Sequence, residues 1–188
     1  MKSRFLLILG GALILASPLM AQDEAPFPPS PDNVGATATL PPANEPGEAL
    51  TIRGTVYHTD GTTPFAGLIL YLYQTDRTGV YNSTNRSWRE PRIRGWIKTD
   101  DSGRYEIQTI MPGSYPGSRN PAHIHAVIKL PGKKARWIDD FLFDGDPFVT
   151  SDLQSISARQ GKFANVMKVT REKGRLTAQR DIKINEMR

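Results

Sequence analysis

The chain has 188 residues, enough for one domain with ends. Its formal net charge is +5; without Lys2 and Arg4 of the first stretch, 22 basic residues face 19 acidic ones, or +3, and they are scattered rather than clustered with aromatics, which argues against a nucleic-acid surface. There is no cysteine, so disulfides and acylation through a cysteine are excluded.

The opening "MKSRFLLILGGALILASPLMAQ" reads as processing rather than fold. Lys2 and Arg4 form a positive n-region, Phe5 to Ala16 an apolar run, and Ala21 a small residue for cleavage, as in a secretory signal peptide over residues 1–21. The alternative is an uncleaved anchor, but the run is short and interrupted by Gly10, Gly11 and Pro18. The expectation is a secreted or periplasmic protein with no stable membrane insertion after cleavage.

Residues 22–48, "QDEAPFPPSPDNVGATATLPPANEPGE", are rich in proline and alanine and lack hydrophobic periodicity, so they read as a spacer or a surface arm. From residue 49 to 188 the character changes. "ALTIRGTVY", "LILYLYQ", "RGWIKTD", "RYEIQTI", "HIHAVIKL", "FANVMKV" and "LTAQRDIKI" are short runs rich in β-branched and aromatic residues, separated by "TDGTTP", "DDSG", "MPGSYPG", "LPGKK" and "EKG". Many short strands at this spacing predict an all-β sandwich. Only "TSDLQSISARQ", residues 150–160, suits a helical turn or two.

Two of the three histidines, His123 and His125, stand at i and i+2 in "NPAHIHAVIKL". On a strand they project from one face with Cα atoms about 7 Å apart. That fits half of a transition-metal site, and it equally fits a plain surface pair. "PGSYPGSRNPAHIH" puts Tyr115 in a Gly/Pro loop just before the strand, placed either to anchor the loop or to turn its phenol onto a metal. Zinc would want further nitrogen or sulfur ligands, and a two-histidine-one-carboxylate site would want an acid that "HIHAV" does not supply at short range. The local donors therefore favour Fe(III) with phenolate ligands.

From about Gly54 to Pro147 the chain resembles the catalytic domain of the intradiol ring-cleavage dioxygenases. "GTVYHTDGTTPFAGLILYLYQTDRTGVY" is similar to the family's opening, where an aromatic-Gln pair leads to a Gly-x-Tyr whose tyrosine is an iron ligand, here Tyr81. "RGWIKTDDSGRYEIQTIMPGSYP" resembles the block ending in the second phenolate, here Tyr115; "PAHIH" resembles the block supplying His123 and His125; "FLFDGDP" resembles the motif that follows. The resemblance implies a prealbumin-like β-sandwich with little helix. It implies non-haem Fe(3+) held by Tyr81, Tyr115, His123 and His125, and cleavage of a catechol-type diol by O2 to a cis,cis-muconate-type diacid. Tyr115 would leave the iron when the diol binds, while Tyr81 and the histidines stay.

Two positions depart from the family pattern. Asn120 stands where a substrate-facing arginine is usual, with Arg119 one place earlier, and Asp140 stands where glutamine is usual. The helical dimerisation region of the catechol enzymes has no counterpart; the Pro-rich arm replaces it. The substrate-binding candidates are thus Arg119, Asn120, Asp140 and Trp96, the last in "RGW". Tyr57, Tyr71 and Tyr105 read as core or edge aromatics, and Trp88 and Trp137 as packing or pocket wall. The competing reading is a secreted transthyretin-like binding module that keeps the fold without turnover.

Overall fold

The computed structural model describes residues 25–82 and 91–185. The expected signal peptide, residues 1–21, and Trp88 lie outside the described residues. In chain order the elements are β1 (Thr37–Thr39), β2 (Ala49–Tyr57), β3 (Ile69–Gln74), β4 (Ile93–Lys98), β5 (Arg104–Ile110), β6 (His123–Ile128) and β7 (Arg136–Phe143). After α1 (Ser151–Ala158) come β8 (Val166–Met167), β9 (Val169–Glu172), β10 (Arg175–Gln179) and β11 (Ile182–Lys183). One sheet runs β1-β5-β2-β10-β9 with β11 also on β2, and the other runs β4-β3-β6-β7-β8. The fold is the expected all-β sandwich. The Thr150 hydroxyl accepts from the Leu153 amide and caps the short helix.

Alternation along the strands explains the two layers. In β5, Tyr105 and Ile107 turn inward while Arg104 and Glu106 turn out; in β4, Ile93 and Ile97 alternate with Arg94, Trp96 and Lys98. Between the sheets, Leu50, Ile52, Leu70, Leu72, Ile93, Ile97, Ile107, Ile124, Ile128 and Phe141 are fully buried. Each such side chain contributes about 1.5–3 kcal/mol by leaving water. Strand β3 is buried on both faces. Leu70 and Leu72 enter this core, while Tyr71 and Tyr73 join a second cluster with Ala25, Val127 and Ala135 on the outer side of the same sheet. Strand β6 is split the same way: Ile124, Ala126 and Ile128 face the core, which sends His123 and His125 to the outer face.

Two elements differ from expectation. Residues read as a spacer include β1, which pairs in parallel with β5 from Thr37 opposite Glu106 to Thr39 opposite Gln108. Leu40 just beyond it is buried in the core, and the Ala25 amide donates to the Ala135 carbonyl at 3.2 Å, so this stretch is part of the sandwich. Strand β7 was absent from the expected strands because its alternation is broken. Its pairing with β6 shifts between Ile124, opposite Phe141, and Ala126, opposite Ile138, leaving Asp139 and Asp140 against His125 alone. That two-against-one arrangement is a β-bulge, a device that re-aims a side chain.

Candidate metal centre

The four candidate donors come from three places and meet on the outer face of the five-stranded sheet. His123 and His125 stand on β6; Tyr81 lies in the loop after β3, and Tyr115 in the loop before β6. The Tyr115 oxygen lies 3.0 Å from His123 Nε2 and 3.2 Å from His125 Nε2. The Tyr81 oxygen lies 3.0 Å from His125 Nε2 and touches the Tyr115 oxygen. The two Nε2 atoms are 3.1 Å apart.

Tautomers decide what this cluster can do. His123 Nδ1 lies 2.7 Å from the Pro121 carbonyl, which can only accept, so Nδ1 carries the proton. His125 Nδ1 lies 2.8 Å from Asp140 Oδ1 and donates to it. With both rings neutral, as metal ligation requires, both Nε2 atoms are bare lone pairs. Only the two phenolic protons remain, against five contacts at hydrogen-bond distance, so at least three contacts set lone pair against lone pair. A cation at their centre removes that repulsion. Two imidazole nitrogens and two phenol oxygens are hard to borderline donors of the kind that suit ferric iron, so the residues fit that ion. Burial raises the affinity of Tyr81 for its proton, and neighbouring Tyr115 adds to this; burial also raises that of Tyr115 and lowers that of His123. The histidine is thereby kept neutral and ready to ligate, and a bound multivalent cation inverts the balance for the phenols.

The carboxylate that the sequence around the histidines lacks arrives from β7. His123, His125 and Asp140 present ligand atoms within 4.8 Å of one another. Asp140, however, sits behind the His125 ring, on Nδ1, while the phenols gather at Nε2. The sequence reading had Asp140 facing substrate; the bulge instead commits one of its oxygens to His125. Trp96 is also displaced from its expected place. Tyr71 pairs across β3–β4 with Trp96, whereas Tyr73 pairs across β3–β6 with His125, so Trp96 stands a strand further out. Its ring packs on Tyr71 and its Nε1 donates to the Pro28 carbonyl at 3.2 Å. Arg119 and Asn120 are exposed in the loop between Tyr115 and His123.

Several positioning residues escaped the sequence reading. The Tyr73 ring lies 4.6 Å from that of His125, and its hydroxyl accepts from Trp137 Nε1 at 3.2 Å. Burial pushes the Tyr73 phenol up to about 12. Its signal was its two-residue offset from Tyr71 on a strand. Gln74, fully buried, donates to the Ile110 carbonyl at 3.0 Å and accepts from Thr109 at 2.8 Å, joining the roots of the two tyrosine loops. Asp76 then shapes the first loop by accepting from the Thr78 amide and hydroxyl at 2.8 and 2.6 Å, and from the Asn82 side chain. The Asp76 carbonyl takes the Gly113 amide of the second loop at 2.8 Å. Asp146, in "FLFDGDP", accepts from the Ala122 amide at 3.1 Å and so braces the start of β6.

Comparison with known proteins identifies the family. The family model Dioxygenase_C, described as "Dioxygenase", matches residues 27–184. Catechol 1,2-dioxygenase 2 of Acinetobacter lwoffii is 26% identical over 157 residues, covering 75% of this chain and 56% of that protein. Chlorocatechol 1,2-dioxygenase of Rhodococcus opacus is 31% identical over 137 residues, covering 63% and 52%. The chain thus spans about half the length of these relatives. The solved dioxygenase domain of a dioxygenase carbohydrate-binding protein fusion from Streptomyces sp. SirexAA-E shares the fold, with a TM-score of 0.61 at 23% identity over 86% of this chain and 96% of that one. The chain belongs to the intradiol ring-cleavage dioxygenase family.

Proposed function

We propose that this protein is a non-haem Fe(III) dioxygenase that opens a catechol-type diol with O2 to a cis,cis-muconate-type diacid. The observation that carries the reading is the cluster of two bare imidazole nitrogens and two phenol oxygens, with two protons for five contacts. Ferric iron, when bound, supplies a Lewis acid and template that draws electron density from the diol so that a ring carbon reacts with O2. The chain's residues divide the remaining work. Tyr81 is fastened on both sides: before it, the Val80 carbonyl accepts the Asp76 amide at 2.9 Å; after it, its own carbonyl accepts the Arg92 amide at 3.1 Å and the Asn82 side chain is tied to Asp76. It suits a permanent ligand. Tyr115 is followed by exposed Pro116 and Gly117, which supports its being the phenolate that yields to the diol and takes up its proton.

The relatives named for catechol and chlorocatechol support a diol without a ring carboxylate. Asp140 supports the same choice, since its carboxylate stands behind the His125 ring and adds negative charge to the surroundings of the site. The basic start and the apolar run Phe5 to Ala16 support export and a periplasmic or extracellular enzyme. The direct test is oxygen uptake by iron-loaded protein given catechol. The reading expects one O2 consumed per ring opened, with a muconate-type product. A binding module would consume none.

A further inference from the structure

Asp140 carries more than the task of holding a ring. The bulge of β7 places two consecutive carboxylates opposite one histidine, and they part ways. Asp139 is exposed and accepts from the Gln160 side chain at 3.2 Å. Asp140 turns to His125 Nδ1 at 2.8 Å, and its backbone is pinned by Asn165, whose side chain donates to the Asp140 carbonyl at 3.1 Å. At its Nδ1 the other histidine meets a neutral group, the Pro121 carbonyl. The two imidazoles are therefore unequal: one is backed by a full negative charge and the other by a dipole.

We infer that Asp140 is a charge-bearing positioning residue that makes His125 the stronger nitrogen donor and thereby holds the metal in the ferric state. This rests on the reading that the site binds Fe(III). A carboxylate accepting from Nδ1 gives the ring imidazolate character, so Nε2 gives more electron density to the ion. With two phenolates, the Asp140 charge brings the negative charge around a trivalent ion to three. That favours Fe(III) over Fe(II) and raises the energy of the iron orbitals that accept charge from the phenolates.

The test compares wild type, Asp140→Asn and Asp139→Asn, each loaded with ferric iron. Asn keeps an oxygen that can accept from Nδ1 and removes only the charge, so a role confined to holding the ring is preserved. In Asp140→Asn the phenolate-to-iron absorption band moves to longer wavelength and the Fe(III)/Fe(II) potential rises; in Asp139→Asn both stay at the wild-type values. Iron affinity of Asp140→Asn falls by about ten- to a hundredfold, as for other groups that back a ligating histidine. Coincident band and potential in wild type and Asp140→Asn overturn the inference, and so does an equal shift in Asp139→Asn, since the charge would then not act through His125. If Asp140→Asn holds no iron, Asp140→Glu decides: uptake regained with the charge supports the assignment, and loss in both overturns it. Wild type that takes up no coloured ferric iron overturns the ferric reading itself, an outcome visible before any variant is made.

Discussion

Gly79 and Ser114 meet backbone to backbone: a Cβ on Gly79 would stand 1.9 Å from the Ser114 carbonyl oxygen. Gly113 is also too close for a side chain, with a Cβ position 2.6 Å from the Gly79 amide nitrogen. The loops bearing Tyr81 and Tyr115 thus touch through glycine, and their phenols meet because nothing stands between their backbones. Gly79 also has φ +83°, a region that L side chains reach at a cost. Gly79→Ala should destabilise by more than the roughly 1–2 kcal/mol of the backbone conformation alone, because the loops must separate. Thermal unfolding and iron binding measured together check this. Wild-type iron affinity in a stable Gly79→Ala protein would show that the contact does not position the tyrosines.

The two phenols should respond differently to loss of their oxygens. Tyr81→Phe should bleach or shift the colour of the iron protein and abolish turnover. Tyr115→Phe should keep iron but bind catechol poorly, since it loses the group that takes up the diol's proton. Iron content, visible absorption and catechol titration of both variants separate the roles. Equal effects on iron affinity and on catechol binding would contradict the division.

Part of this candidate site was legible in the sequence as local periodicity, and part only through the family resemblance. The i, i+2 spacing of His123 and His125 places both rings on one face of β6, the Gly/Pro loop around Tyr115 marks where chain can reach that face, and Tyr81 was reached only through the Gly-x-Tyr resemblance to the family. What was not legible depends on register. The bulge at Asp139 and Asp140 exists only in the pairing of β7 with β6, so no reading of "WIDDFLF" alone could turn Asp140 toward His125. Strand β1 hid in a proline-rich stretch because three residues, Thr37 to Thr39, carry no periodicity, and their strand state comes from the edge of β5. Trp96 reads as pocket wall from sequence, but its indole N–H donates to the Pro28 carbonyl of the chain before β1, a contact that no local pattern announces.

Charge should set substrate preference. Asn120 is neutral, and Asp140 adds a negative charge behind the His125 ring, one imidazole away from the donors. A carboxylate on the ring then meets a like charge, at a cost on the order of 1–3 kcal/mol. Catechol and hydroxyquinol should exceed protocatechuate in kcat/KM by about tenfold or more, and Asn120→Arg should narrow the gap. Wild type favouring protocatechuate, with Arg119→Ala abolishing that preference, would make Arg119 the substrate-facing cation instead.

Asp76 links the loop of Tyr81 to stability in acid. Burial opposes its ionisation, but hydrogen bonds from the Thr78 hydroxyl and amide and the Val80 amide, with the nearby Arg92 charge, outweigh it and hold the carboxyl below the usual range. A carboxyl depressed in the folded state contributes stability above its unfolded value of about 3.9 and loses it as pH falls through the folded value. Asp76→Asn should therefore melt below wild type at neutral pH, and the gap should close as pH drops below about 4. Unfolding temperatures across that range check the sign; a gap that widens in acid would contradict it.

The central claim is that Tyr81, Tyr115, His123 and His125 hold one ferric ion to which a catechol binds directly. The visible spectrum of iron-loaded protein, recorded without O2 before and after adding catechol, tests it most directly. The account predicts a coloured phenolate-to-iron band that moves to longer wavelength as catechol binds, and that is lost or shifted in Tyr81→Phe. Colourless protein after iron loading, or a band that catechol leaves unchanged, would contradict it.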